Sequence, residues 1–128
     1  MAAPHLVLRR AGAEGPDWRL TVAHSLLGRF RGLMGRRALP EGEGLYLPGT
    51  NGVHMLFMRF PIDCVFLGAP QSDGTRQVVA VHERLAPWRG VVWWVRGARG
   101  AVEVAAGSAA AAGLRRGDYV HLEERTPE

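Results

Sequence analysis

A chain of 128 residues, 47% hydrophobic and 22% charged, suits one soluble globular domain whose core needs neither disulfide nor metal. No run nears the ~18 apolar residues of a spanning helix, and the single cysteine, Cys64, excludes an internal disulfide and a cysteine-rich zinc site. The formal charge of +4 rests on arginine alone, and the arginines lie scattered with no more than two adjacent, which argues against a nucleic-acid footprint.

The N-terminus lacks the basic start and long apolar middle of a signal peptide, so the expected location is cytoplasmic, with no membrane segment. Residues 5–10 and 18–24 read as strands, turned between by Gly12, Gly15 and Pro16 into a hairpin. In the second, Trp18, Leu20 and Val22 alternate with Arg19, Thr21 and Ala23, the pattern of a half-buried strand. Ser25 is a suitable N-cap for a short helix in which Leu26, Leu27, Phe30, Leu33 and Met34 share a face and Gly35 ends the run. Leu45 to Leu47 forms a brief strand between Pro40–Gly44 and Pro48–Gly49.

The most apolar long run follows, Asn51 to Leu67. Val53–Phe57 is expected to be a strand buried on both faces, Arg59–Pro61 a turn, and Ile62–Leu67 a second strand. In that second strand Ile62, Cys64 and Phe66 take one face and Asp63, Val65 and Leu67 the other. A loop over 68–75 leads to a strand over 77–83, giving a second hairpin. Pro87–Gly90 turns into the β-prone run Val91–Val95. Residues 101–106 read either as a strand or as the start of an alanine-rich helix; a strand followed by a short helix from Ser108 to Gly113 is favoured. Tyr119–Leu122 is the last strand.

Together these predict a mainly β (β-rich α+β) fold: a single compact, mostly antiparallel, barrel-like domain of seven to nine strands with one or two short helices. Its core spans about residues 5–123, and 124–128 form a flexible tail.

Several blocks carry a family likeness. Arg31-Gly32-Leu33-Met34-Gly35-Arg36, His54-Met55 with Phe57-Met58, Pro61-Ile62-Asp63 with Val65-Phe66-Leu67, and Val102-Glu103-Val104 before Ala106-Gly107 resemble the signature blocks of the bacterial and archaeal family called domain of unknown function 192. The resemblance implies a small, mainly β, stand-alone domain with no established biochemical activity. After the Phe-Leu pair the family pattern carries an acidic residue or asparagine, where this chain has Gly68.

Buried charge is costly unless paired and hydrogen-bonded, so His54, Arg59 and Asp63, set among Met, Leu, Phe and Ile, should satisfy one another or be held for a ligand. Asp63 needs a donor or cation; Arg59 and His54 are nearest in sequence, and Arg59 or a backbone donor is expected to hold it. Glu103, the other acid embedded in apolar strand, is expected to pair with an arginine of the 29–36 helix. Asp63 with Glu103 could form a hydrolytic carboxylate pair, but structural ion pairs outnumber catalytic dyads. Cys64 shares its face with Ile62 and Phe66 and reads as a buried hydrophobe rather than a nucleophile. His54, His82, Asp63 and Glu103 are ligand types without ligand spacing, so neither metal nor cofactor is expected. Adjacent strand residues face opposite ways, so one of Trp93 and Trp94 should be outward or line a groove.

These readings lead to a non-catalytic ligand- or partner-binding domain. Its polar site would be His54, Arg59 and Asp63, with Glu103 nearby and an aromatic wall from Trp93 or Trp94. Its partner would be a small polar or anionic ligand, or a protein. The alternative is a small hydrolase or metal-dependent enzyme using Asp63, Glu103 and His54.

Overall fold

The computed structural model describes residues 5–13, 15–24, 38–56 and 58–125. Along them run β1 (His5–Arg10), β2 (Trp18–Val22), β3 (Glu43–Pro48), β4 (Val53–His54), β5 (Ile62–Leu67), β6 (Arg76–Leu85), β7 (Val91–Val92), β8 (Gly100–Ala105), a helix α1 (Ser108–Ala112) and β9 (Tyr119–Arg125). The helix expected from Ser25 lies outside the described residues.

Seven strands close a barrel in the order β1-β2-β3-β8-β5-β6-β9, with β9 pairing back onto β1. Every neighbouring pair is antiparallel except β2 with β3, which run parallel. Both expected hairpins are present, as β1–β2 and β5–β6. The last strand runs on to Arg125, opposite His5, so the ordered ladder exceeds the boundary read near residue 123.

Strand alternation sorts the core into two layers. Leu8, Trp18, Leu20, Tyr46, Val65, Leu67, Val78, Val102, Val104 and Val120 come from all seven barrel strands and fill its interior. Ala109 and Leu114, on and just after α1, join them and close one end. The other layer lies outside the barrel wall: Leu45, Leu47, Ile62, Cys64, Phe66 and Ala101 are covered by Val53, Met55, Met58, Phe60 and Val95. The segment around β4 and β7 is therefore a flap seated on the outer face of β3, β8 and β5.

β4 and β7 form a separate two-stranded sheet and are shorter than the runs 53–57 and 91–95 suggested. The carbonyl of Met55 accepts from Met58 N at 3.1 Å and from Trp88 N at 2.8 Å, so the chain turns there instead of extending the ladder. Gly52 lets the two strands meet: a Cβ there would lie 2.5 Å from the Trp93 carbonyl oxygen and 2.6 Å from that of Val92.

The end of the barrel opposite α1 is filled by Arg76, which is 8% exposed and which the sequence did not single out. Its Nε donates to Gly68 O at 2.7 Å and Nη2 to Arg99 O at 3.2 Å, while Nη1 donates to the Tyr46 hydroxyl. The guanidinium carbon stands 5.5 Å from the Tyr46 ring centroid. Gly68, where the family pattern is polar, supplies the shortest carbonyl contact of this set.

Candidate functional site

Asp63 stands at the α1 end of the barrel. It lies on the same side of β5 as Val65 and Leu67 and is fully buried. Ile62 pairs with Leu85 and Cys64 with His82, so Glu83 and Arg84 together face Asp63 across a β-bulge. Asp63 Oδ1 accepts from Arg84 N at 2.9 Å; Oδ2 accepts from Gly107 N and Ala109 N, both at 3.0 Å. Arg84 has φ 53° and Gly107 φ 93°, left-handed geometry that a side chain tolerates poorly and glycine freely. One carboxylate thus pins two unusual backbone corners and the first turn of α1, whose leading N–H groups lack intrahelical acceptors and favour a negative charge.

Of the holders expected for Asp63, the backbone donor is the one present. The donors are backbone N–H groups 21 to 46 residues away in sequence, not Arg59 or His54. Arg59 is exposed, between the buried Met58 and Phe60. His54 lies half-buried in β4, where its Nδ1 accepts from Leu56 N at 3.3 Å.

Nor does the fold bring the two acids together. Glu103 is fully buried, but it pairs across the sheet with Leu45 and Cys64, whereas Asp63 pairs with Val104. Leu45 and Cys64 belong to the outer layer and Val104 to the interior, so the carboxylates lie on opposite faces of the barrel wall. The arginines expected to meet Glu103 lie outside the described residues. Cys64 is buried. His82 packs edge-on to Phe66, with ring centroids 5.8 Å apart. Among the described residues no group of three or more His, Cys, Asp or Glu side chains is placed to hold a metal ion.

The exposed groups gather on the flap. Val53, Met55 and Val92 point inward to the outer-layer core. By alternation His54 and Val91 point away from it, and Leu56 and Trp93 lie just past the ends of the two strands. Leu56 is 48% exposed, Val91 41%, Trp93 86%, Trp94 65% and the neighbouring Trp88 51%. Both adjacent tryptophans are outward, where alternation allowed only one. β7 ends at Val92, so Trp94 is not bound to the strand's geometry. Trp18 is by contrast 5% exposed in the barrel.

A concavity lined by Arg10, Gln71, Asp73, Thr75, Asp118 and Tyr119 is occupied with its own contacts. Asp118 Oδ2 accepts from Arg115 N at 2.8 Å and lies 4.0 Å from Arg10 Nη1. Thr75 Oγ1 donates to Asp73 Oδ1 at 2.6 Å and Thr75 N to the same oxygen at 2.9 Å. These two donors, the hydroxyl foremost, hold the Asp73 carboxyl below its ordinary value of 3.8. An NMR titration should place its midpoint below that value, and Thr75→Val should move it upward. Because the folded-state value is depressed, the associated stabilisation is present at neutral pH and is lost as pH falls through the lowered midpoint. An unmoved midpoint in Thr75→Val would show that the hydroxyl is not the cause.

Among the described residues no helix is long and apolar enough to cross a membrane. The family model for DUF192, described as an uncharacterised ACR, matches residues 7–122. Two solved structures share the fold. A Sinorhizobium meliloti protein, described as a candidate transcription regulator, is 24% identical with a TM-score of 0.74, and the match covers 94% of each chain. A protein of unknown function from Novosphingobium aromaticivorans is 20% identical with a TM-score of 0.73, covering 94% of this chain and 93% of that one. At these identities the likeness is one of fold alone. No curated protein matches the chain.

Proposed function

The chain belongs to the DUF192 family, and we propose that it acts there as a non-catalytic binding module whose contact surface is the outer face of the β4–β7 flap. One observation carries this reading: Trp88, Trp93 and Trp94, with Leu56 and Val91, are 41–86% exposed in the short β4–β7 sheet and the segments that adjoin it. Contiguous exposed apolar surface of this kind marks interaction sites, and tryptophan is the residue most enriched among those that dominate binding energy. His54 and Arg59 remain in the site, His54 within the face and Arg59 exposed beside the flap's buried residues, where it can take an anionic or carbonyl group through paired N–H donors. Asp63 and Glu103 leave it, because both are buried in the barrel wall. The hydrolase or metal-enzyme alternative needs those carboxylates in one cleft, and their opposite faces give it no support.

A thermal-shift screen against sugars, nucleotides, organic acids and acidic peptides tests the reading, since a specific binder raises the melting temperature by mass action. Trp93→Ala with Trp94→Ala should leave the unliganded stability within about 0.5 kcal/mol of wild type, because both indoles are exposed. The same variant should lose the ligand-induced shift. A shift that survives the double substitution would place the binding surface elsewhere.

A further inference from the structure

The same face also says what kind of occupant it fits, an inference that rests on the binding-module reading. Its apolar side chains protrude: Trp93 is 86% exposed and Trp94 65%. A rigid protein partner must be shaped around indoles that stand out this far, whereas a lipid interface takes up the rings without a matching surface. Leu56 and Val91 add aliphatic surface, which suits acyl chains and offers no π face on which a base could stack.

Charge points the same way. The stretches 49–62 and 84–102, which contain the flap and its approaches, carry Arg59, Arg84, Arg89, Arg96 and Arg99; of the acids that bound them, Asp63 and Glu103 are fully buried and Glu83 alone is exposed. All five arginines are exposed. Exposed indoles and aliphatics interspersed along the chain with exposed arginines complement a surface that is apolar below and anionic above.

We propose that this face docks the protein peripherally on an anionic phospholipid surface. Trp88, Trp93, Trp94, Leu56 and Val91 enter the boundary between headgroups and acyl chains, and Arg59, Arg89 and Arg96 meet the lipid phosphates. The lack of a spanning segment, on which the sequence reading set membranes aside, does not bear on this, because surface docking needs none.

Co-sedimentation of the full chain with vesicles of phosphatidylcholine, alone or mixed with phosphatidylglycerol, tests the proposal. Binding is expected to the mixed vesicles only, with a blue shift of tryptophan emission and release as salt rises. Trp93→Ala with Trp94→Ala should weaken partitioning by about tenfold or more, and Arg89→Gln with Arg96→Gln should weaken it at unchanged melting temperature. Absence of binding to phosphatidylglycerol vesicles at low salt would overturn the lipid occupant. Parallel arms with an acidic peptide and a single-stranded oligonucleotide separate that failure from failure of the binding-module reading. Binding to either probe, lost in the tryptophan variant and without vesicle binding, overturns the lipid proposal and leaves the recognition face standing. Vesicle binding indifferent to the tryptophan variant overturns both.

Discussion

Asp63→Asn is expected to lower stability by about 3–5 kcal/mol, although it barely changes the size of the side chain. A carboxylate is acceptor-only and suits the three backbone donors it meets, Arg84 N, Gly107 N and Ala109 N. An asparagine has one acceptor oxygen. With that oxygen toward Gly107 and Ala109, its NH2 faces the Arg84 N–H; turned the other way, it faces the other two. Either orientation leaves at least one N–H opposed by another donor, at a cost of about 1–3 kcal/mol, and turns the remaining charge-assisted bonds into weaker neutral ones. The left-handed backbone at Arg84 also loses the bond that holds it. Urea denaturation of the two proteins measures the difference, and a shared midpoint would mean that the carboxylate does not hold the fold. A loss of this size is a large fraction of the 5–15 kcal/mol typical of a small domain.

Arg76→Met should cost about 2–3 kcal/mol. Methionine fills similar space but gives nothing to Gly68 O, Arg99 O or the Tyr46 hydroxyl, so buried acceptors lose their donor. Relief from burying a guanidinium offsets part of that loss, which is why the estimate is smaller than for Asp63. Arg76→Lys keeps the charge but cannot fork to the same three acceptors, and should fall between methionine and wild type. Thermal or urea melts order the three proteins. A methionine variant as stable as wild type would contradict the assignment of Arg76 as the closure of its barrel end.

Asp63 and Arg76 mark how far the amino-acid pattern specifies this fold. Period-two alternation in Ile62–Leu67 put Asp63 and Cys64 on opposite faces of the strand, and the structure has them so, with the Asp63 face turned into the barrel. Turn residues at Gly12–Pro16 and over 68–75 fixed both hairpins, and the extended blocks around them were enough for a closed, mostly antiparallel barrel. A backbone donor was one of the holders expected for Asp63, but which donors it meets was not legible. They are backbone N–H groups on a bulge and a helix start remote in sequence, and a backbone donor leaves no mark in the side-chain pattern. The nearest cation in sequence was a poor guide because Arg59 follows the turn out to the surface. Arg76 was missed because the strand was begun one residue late, at Gln77. Starting it at Arg76 would have put an arginine in register with the inward Val78.

The flap was the least legible part. Val53–Phe57 and Val91–Val95 have the composition of strands, yet among the described residues only two of each enter a ladder. Strand length there is set by the turn at the Met55 carbonyl and by where the chain leaves the outer-layer core, and both are tertiary facts. The tryptophans were visible as candidates, but the exposure of both together follows from the early end of β7.

The chain's four tryptophans allow the most direct test of where it binds, because each contributes one indole N–H resonance. In an isotope-labelled sample titrated with phosphatidylglycerol bicelles, the Trp93 and Trp94 signals should shift or broaden while that of Trp18, enclosed in the barrel, stays in place. A response at Trp18, or at the amides of Arg84, Gly107 and Ala109 around Asp63, with Trp93 and Trp94 unmoved would contradict a recognition surface on the flap.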